Sequence, residues 1–169
     1  MERSVIDDMP ADRAVLFERE TFPSLIGDGL YGVRVNGYWL DIGTPERYLR
    51  ATRDILENGV ETSVEPTPDA GLIAPSLVGE GCEIADDAAI GPGSSLGSRC
   101  TIGARSVVER SVLHDHVAVG PDVTVRDCIV GAGASIGDGS TLEQETIVGP
   151  SVSVPAGTRV RSGRLPDSQ

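Results

Sequence analysis

Leu72-Ile-Ala-Pro-Ser-Leu-Val78-Gly-Glu-Gly-Cys-Glu-Ile84-Ala-Asp-Asp-Ala-Ala-Ile90 opens a run in which an aliphatic residue returns every six positions. The series continues through Leu96, Ile102 and Val108, takes a five-residue step to Leu113, and resumes through Val119 and Val125. A second five-residue step leads to Val130, followed by Ile136, Leu142, Val148, Val154 and Val160. All sixteen positions are aliphatic, and Gly follows directly in eight of the fifteen repeats, among them Gly79, Gly97, Gly103 and Gly120. A small or β-branched residue such as Ser76, Cys82, Ser94, Cys100 or Val123 stands four places after the aliphatic. Neither the helical period nor strict strand alternation produces a period of six over so long a run. A solenoid does, with one short strand and one corner per hexad.

Three hexads close a coil, so residues eighteen apart stack: Ile84 beneath Ile102, and Val78 beneath Leu96. The two five-residue steps, Val108-Glu-Arg-Ser-Val and Val125-Arg-Asp-Cys-Ile, shorten two coils to seventeen, and the run holds about five coils in all. The aliphatics point to the axis, the small residues fill beside them, and Gly or a polar residue takes each bend where positive φ is needed. The repeat resembles that of the hexapeptide-repeat family, which implies a left-handed parallel β-helix. The hand comes from that resemblance, since the usual crossover preference is right-handed.

The chain of 169 residues is 39% hydrophobic and only 4% aromatic, and a narrow axial core takes aliphatics more readily than rings. Its formal charge of −12, with fourteen Arg and no Lys, argues against nucleic acid or an anionic membrane as partner. No apolar run reaches membrane-spanning length, and the opening residues lack a signal-peptide core. Three unclustered cysteines fit a reducing compartment, and the expected location is the cytoplasm. Cys82 and Cys100, eighteen apart, read as fillers of stacked coils.

Upstream of the repeats, Phe17-Glu-Arg-Glu-Thr-Phe-Pro-Ser-Leu-Ile26 reads as a short helix with a kink or stop at Pro23. Leu30-Tyr-Gly-Val-Arg-Val and Tyr38-Trp-Leu-Asp-Ile flank Asn36-Gly37, a strong hairpin signal. Thr44 caps a helix that has Pro45 at its first position, with no capping box because Arg47 stands where Glu is wanted. Tyr48, Thr52, Ile55 and Leu56 form one face, and Asn58-Gly59 stops the helix. The expected organisation is an α+β segment over 1–59, a linker or capping coil over 60–71, the β-helix over 72–160 and a flexible polar tail over 161–169.

The segment Gly37-Tyr-Trp-Leu-Asp-Ile-Gly-Thr-Pro-Glu-Arg-Tyr-Leu49 resembles the strand–turn–helix near the end of the catalytic domain of sugar-1-phosphate nucleotidyltransferases. Glu18-Arg-Glu-Thr-Phe-Pro23 resembles the segment preceding it in the mannose-1-phosphate guanylyltransferase branch, in which a hexapeptide β-helix follows a short linker. The resemblance implies a mainly β protein, a β-helix preceded by a small α+β remnant of the catalytic domain. It also implies attack by a sugar-1-phosphate on the α-phosphate of a nucleoside triphosphate, giving an NDP-sugar such as GDP-mannose or a dTDP- or UDP-glucose relative. The Asp matching the family's metal ligand is Asp41, and the implied cofactor is Mg²⁺, which prefers hard oxygen ligands from carboxylates and phosphates. Glu18 and Glu20 could approach the sugar, or simply be surface charges of a short helix.

Nothing in the chain matches the family's Gly-rich G-x-G-x-R-x-x-P-L-T loop, and no Lys can bind phosphate. The resemblance therefore implies the C-terminal portion of such an enzyme, inactive alone, with the β-helix serving assembly or regulation. The implied partners are further copies, held through the β-helix or the open remnant around Phe17, Phe22, Leu25 and Trp39, or the N-terminal catalytic half. Two other readings stay open. One is a hexapeptide acyltransferase using acetyl-CoA, with His114 or His116 as general base, although no long loop interrupts the coils to build a donor pocket. The other is a purely structural module. A zinc site on this fold needs three His, and the chain has two.

Overall fold

The computed structural model describes residues 2–63 and 73–166. The chain divides into two compact units, Met1–Tyr38 and Trp39–Gln169. The 45–56 helix, grouped above with the segment preceding it, thus belongs to the second unit together with the repeats.

In the first unit, α1 (Arg3–Asp7) is followed by a five-residue π-turn, Phe17–Thr21, which runs into α2 (Phe22–Ser24). Pro23 sits in the first turn of α2, where its missing N–H costs nothing. The helix ends one residue beyond it rather than at it. Phe17 and Phe22 pack with ring centroids 5.7 Å apart. The hairpin expected around Asn36-Gly37 does not form: residues 30–36 and 38–43 are in no strand. Tyr31, Val33, Val35 and Trp39 are exposed, so no apolar neighbour rewards strand pairing. An isolated two-stranded hairpin is marginal in water without such packing.

In the second unit, α3 spans Pro45–Leu56. Thr44 caps it by accepting from the Arg47 N–H at 3.3 Å, and Asn58 takes a left-handed φ of 59° just past its end. Its buried residues are Leu49 and Leu56, seven apart and so on one face. Leu49 was missing from the face expected above.

Among the described residues the repeats form a parallel β-solenoid of sixteen short strands, β1 (Ser76–Val78) to β16 (Arg164–Leu165). Every third strand stacks, giving one sheet ordered β1-β4-β7-β10-β13-β16 and two of five strands, β2-β5-β8-β11-β14 and β3-β6-β9-β12-β15. The pairs Val78–Leu96 and Ile84–Ile102 are those the count of eighteen requires. Beyond the first five-residue step the spacing drops to seventeen, as in Leu96–Leu113, and it returns to eighteen at Val130–Val148. Of the sixteen aliphatics, the twelve from Ile90 to Val154 are buried, while Val78, Ile84 and Val160 in the end coils are partly covered. Leu72 lies outside the described residues, as do 64–71 of the expected linker.

The ladder also runs further than expected. Val160 takes a third five-residue step to Leu165, which pairs with Val148, so the last residue of β15 (Arg159–Arg161) and all of β16 fall in the expected tail.

Two corrections concern the corners. Most of the repeated glycines after the aliphatics do not carry positive φ; the left-handed residue falls two places later, at Gly81, Arg99, Arg105, Asp122 and Gly133. What demands Gly at the earlier place is close approach between coils. A Cβ on Gly103 would lie 2.6 Å from the Gly120 carbonyl carbon, and one on Gly79 2.6 Å from that of Gly97. The small residues, in turn, do more than fill. Ser106 donates to the Gly120 carbonyl at 2.7 Å and accepts from the Val123 N–H at 3.0 Å, stitching one coil to the next inside the core.

Candidate functional site

The Gly37–Leu49 segment places Asp41 in a short loop before α3. One carboxylate oxygen accepts the Gly43 N–H at 3.0 Å, closing a local turn typical of Asp. The other accepts from the Arg47 guanidinium at 3.1 Å, six residues on and in the first turn of α3. The Asp41 side chain is 56% exposed, so this ion pair is largely screened by water. Both oxygens thus serve the loop-to-helix junction. Among the described residues no group of three or more His, Cys, Asp or Glu could hold a metal ion. Mg²⁺ retains its waters unless carboxylates and phosphates together replace them. Asp41 with its present neighbours does not make a magnesium site.

Glu18 and Glu20 belong to the other compact unit. Glu20 bonds Arg13 at 2.6 Å and accepts the Leu16 N–H at 3.3 Å, and the Arg13 hydrogen bond holds its carboxyl below the usual carboxylate range. Glu18 is exposed. A concavity of about 920 Å³ in this unit is lined by residues between Glu2 and Leu30, among them Met9, Phe22 and Leu25. Glu20 borders it with its carboxylate already held by Arg13, and Glu18 does not line it.

The two histidines sit at one corner of the solenoid. His114 follows β7 (Val112–Leu113) and is exposed, its ring centroid 6.4 Å from that of Tyr48 on α3. His116 is exposed with a left-handed φ of 61°. Between them, the Asp115 carboxylate accepts the Ser98 N–H at 2.7 Å from the coil below. These contacts fix a corner and the seat of α3. Neither imidazole lines the concavity just described, nor a smaller one of about 280 Å³ at the C-terminal end of the solenoid.

What the sequence reading missed is the docking of α3 on the solenoid next to β4 (Ser94–Leu96). The stem of Arg53 lies over Gly93, where an added Cβ would meet it at 3.2 Å. The available signal was the Leu49–Leu56 spacing, which marks the buried stripe.

Residues 60–160 match the family model described as the EIF2B subunit epsilon LbH domain. The chain belongs to this left-handed β-helix family. The hexapeptide-type β-helix expected from the repeat is thereby borne out, with its hand. Mannose-1-phosphate guanylyltransferase of Mycobacterium tuberculosis is 35% identical over 122 residues, covering 70% of this chain and 33% of that protein. Mannose-1-phosphate guanylyltransferase 1 of Arabidopsis thaliana is 32% identical over 136 residues, covering 69% of this chain and 37% of its own length. The matched part is the C-terminal portion of these relatives, so the guanylyltransferase-type resemblance is borne out too. The LbH chain spans about a third of the length of these relatives. Among solved structures, the acetyltransferase domain of PglB from Neisseria gonorrhoeae superposes with a TM-score of 0.55 at 23% identity, covering 86% of this chain and 71% of that one. That likeness concerns the fold alone.

Proposed function

We propose that this LbH chain acts as the C-terminal portion of a sugar-1-phosphate nucleotidyltransferase of the mannose-1-phosphate guanylyltransferase kind, with the solenoid as an assembly or regulatory module. The observation that carries the reading is the 35% identity to the C-terminal portion of the mycobacterial guanylyltransferase, over most of this chain. The exposed apolar residues between Tyr31 and Trp39 support it, because a neighbouring sheet would cover them. So does the composition of the described residues. Phosphoryl transfer needs cations and a preorganised cradle around the triphosphate, and the chain has no Lys and no Gly-rich loop of the family's form. Any part Asp41 takes in holding Mg²⁺ depends on carboxylates and phosphates that the complete catalytic domain brings. No helix among the described residues is long and apolar enough to cross a membrane. The three free thiols favour the cytoplasm as the working compartment.

The test is complementation. This chain alone, given GTP and mannose-1-phosphate, should release no pyrophosphate. Mixed with the N-terminal two thirds of the mycobacterial relative, it should restore release above the level of that portion alone. Pyrophosphate release by the chain alone would refute the reading. Acetyl transfer from acetyl-CoA that is lost on His116→Ala or His114→Ala would replace it with the acyltransferase reading.

A further inference from the structure

The two ends of the solenoid carry opposite charge. The first coil, residues 73–90, contains Glu80, Glu83, Asp86 and Asp87 and no base, whereas the last, residues 149–166, contains Arg159, Arg161 and Arg164 and no acid. Two of these seven are neutralised inside their own molecule: Asp87 lies 4.0 Å from Arg105, and Arg161 bonds Glu143 at 2.9 Å. Glu80, Glu83 and Asp86 at one end, and Arg159 and Arg164 at the other, are exposed and make no ion pair among the described residues.

The basic end is also unfinished as a surface. β14 (Ser153–Val154), β15 and β16 are each the last strand of their sheet, so their outer edges have no neighbouring strand among the described residues. Val152, Val154 and Leu165 line an apolar groove of about 280 Å³ there. An open strand edge beside apolar surface attracts another chain unless it is covered.

We propose that the Arg159/Arg164 end of one copy docks on the Glu80/Glu83/Asp86 end of a second copy, head to tail. The inference rests on the solenoid alone and does not depend on the nucleotidyltransferase reading. Charge selects the polarity of the contact: tail to tail would oppose arginines with arginines, and head to head would oppose acids with acids. Because the two contact surfaces differ, the contact is heterologous, and it adds copies in a line unless the rotation closes a ring.

Sedimentation of the full chain over a concentration series tests this without any variant. At about 0.01 M salt the average mass should rise with concentration, and at about 1 M salt, where the Debye length is about 3 Å, it should fall to that of one chain. Arg159→Glu with Arg164→Glu, and separately Glu80→Arg with Glu83→Arg, should each weaken association by roughly tenfold or more. All four residues are exposed, and unchanged thermal melts would show that both variants are folded. An equimolar mixture of the two variants should associate again, since the native acidic end of one meets the native basic end of the other. A single-chain mass at every salt concentration overturns the proposal, as does a mixture that stays monomeric. Stronger association after Arg159→Glu with Arg164→Glu overturns it in favour of tail-to-tail pairing.

Discussion

The backbone N–H of Cys100 points at the sulfur of Cys82 in the preceding coil, 3.4 Å away. Each thiol in turn donates to a carbonyl further along the stack, Cys82 to Gly97 at 3.1 Å and Cys100 to His114 at 3.2 Å. The buried thiols of Cys100 and Cys128 are held in their protonated form. Burial pushes the Cys100 thiol up to about 11 and the Cys128 thiol up to about 12, against about 8.5 in an unfolded chain. A group whose pKa is raised on folding stabilises the fold fully below its unfolded pKa and loses that contribution as pH climbs through the folded value. The thermal midpoint should therefore fall from about pH 8.5 upward, and Cys100→Ala with Cys128→Ala should flatten that slope. Iodoacetamide should label half-buried Cys82 first, and the other two only on unfolding.

Ile102 is 1% exposed at the centre of the stack, while Thr101 beside it faces out. Ile102→Asp buries an unpaired charge and should cost roughly 4 kcal/mol or more, enough to unfold the solenoid. Thr101→Asp should leave the circular-dichroism melt within about 0.5 kcal/mol of the parent. Equal behaviour of the two variants would place the inward register elsewhere.

Gly103 and Gly139 separate two reasons for glycine. A methyl on Gly103 would run into the backbone of Gly120 and Pro121, whereas Gly139 has open space and a left-handed φ of 64°. Gly139→Ala should cost about 1–2 kcal/mol of backbone strain. Gly103→Ala forces stacked coils apart and should cost about 3 kcal/mol or more. Urea midpoints compare them directly, and the reverse order would refute the close-approach argument.

Asp41→Asn removes the ion pair with Arg47 and retains an acceptor for Gly43. On this chain alone its effect should stay below about 1 kcal/mol, because the pair is exposed. Millimolar Mg²⁺ should not shift the melting midpoint of either protein. In the complemented enzyme the same substitution should remove most pyrophosphate release if Asp41 joins the metal–phosphate site, and little if its work is confined to the loop.

The solenoid was legible because one aliphatic every six residues is a dense signal that nothing else in a soluble chain produces. Even the seventeen-residue coils could be counted from two short hexads. Leu165 escaped because no further hexad follows it within the described residues to show that the count had resumed. The hairpin at Asn36-Gly37 had correct turn chemistry, but turn chemistry does not supply the neighbouring surface that makes strands pair. Leu49 was overlooked because the helical face was traced from Tyr48. The magnesium reading came from resemblance alone; the local geometry of Asp41 shows an acceptor for Gly43 and a counter-charge for Arg47.

Every strand-to-strand pairing in the solenoid joins residues seventeen or eighteen apart, whatever its place along the stack. Loop-closure entropy is therefore the same for each coil, and adding coils does not lengthen the search for contacts. Each coil leans only on the two beside it, so order spreads from neighbour to neighbour. The half-covered end residues Val78, Ile84, Val160 and Leu165 mark where that order begins to melt. Amide protons should exchange in a gradient, slowest around Val119 and Val125 and fastest at the two ends.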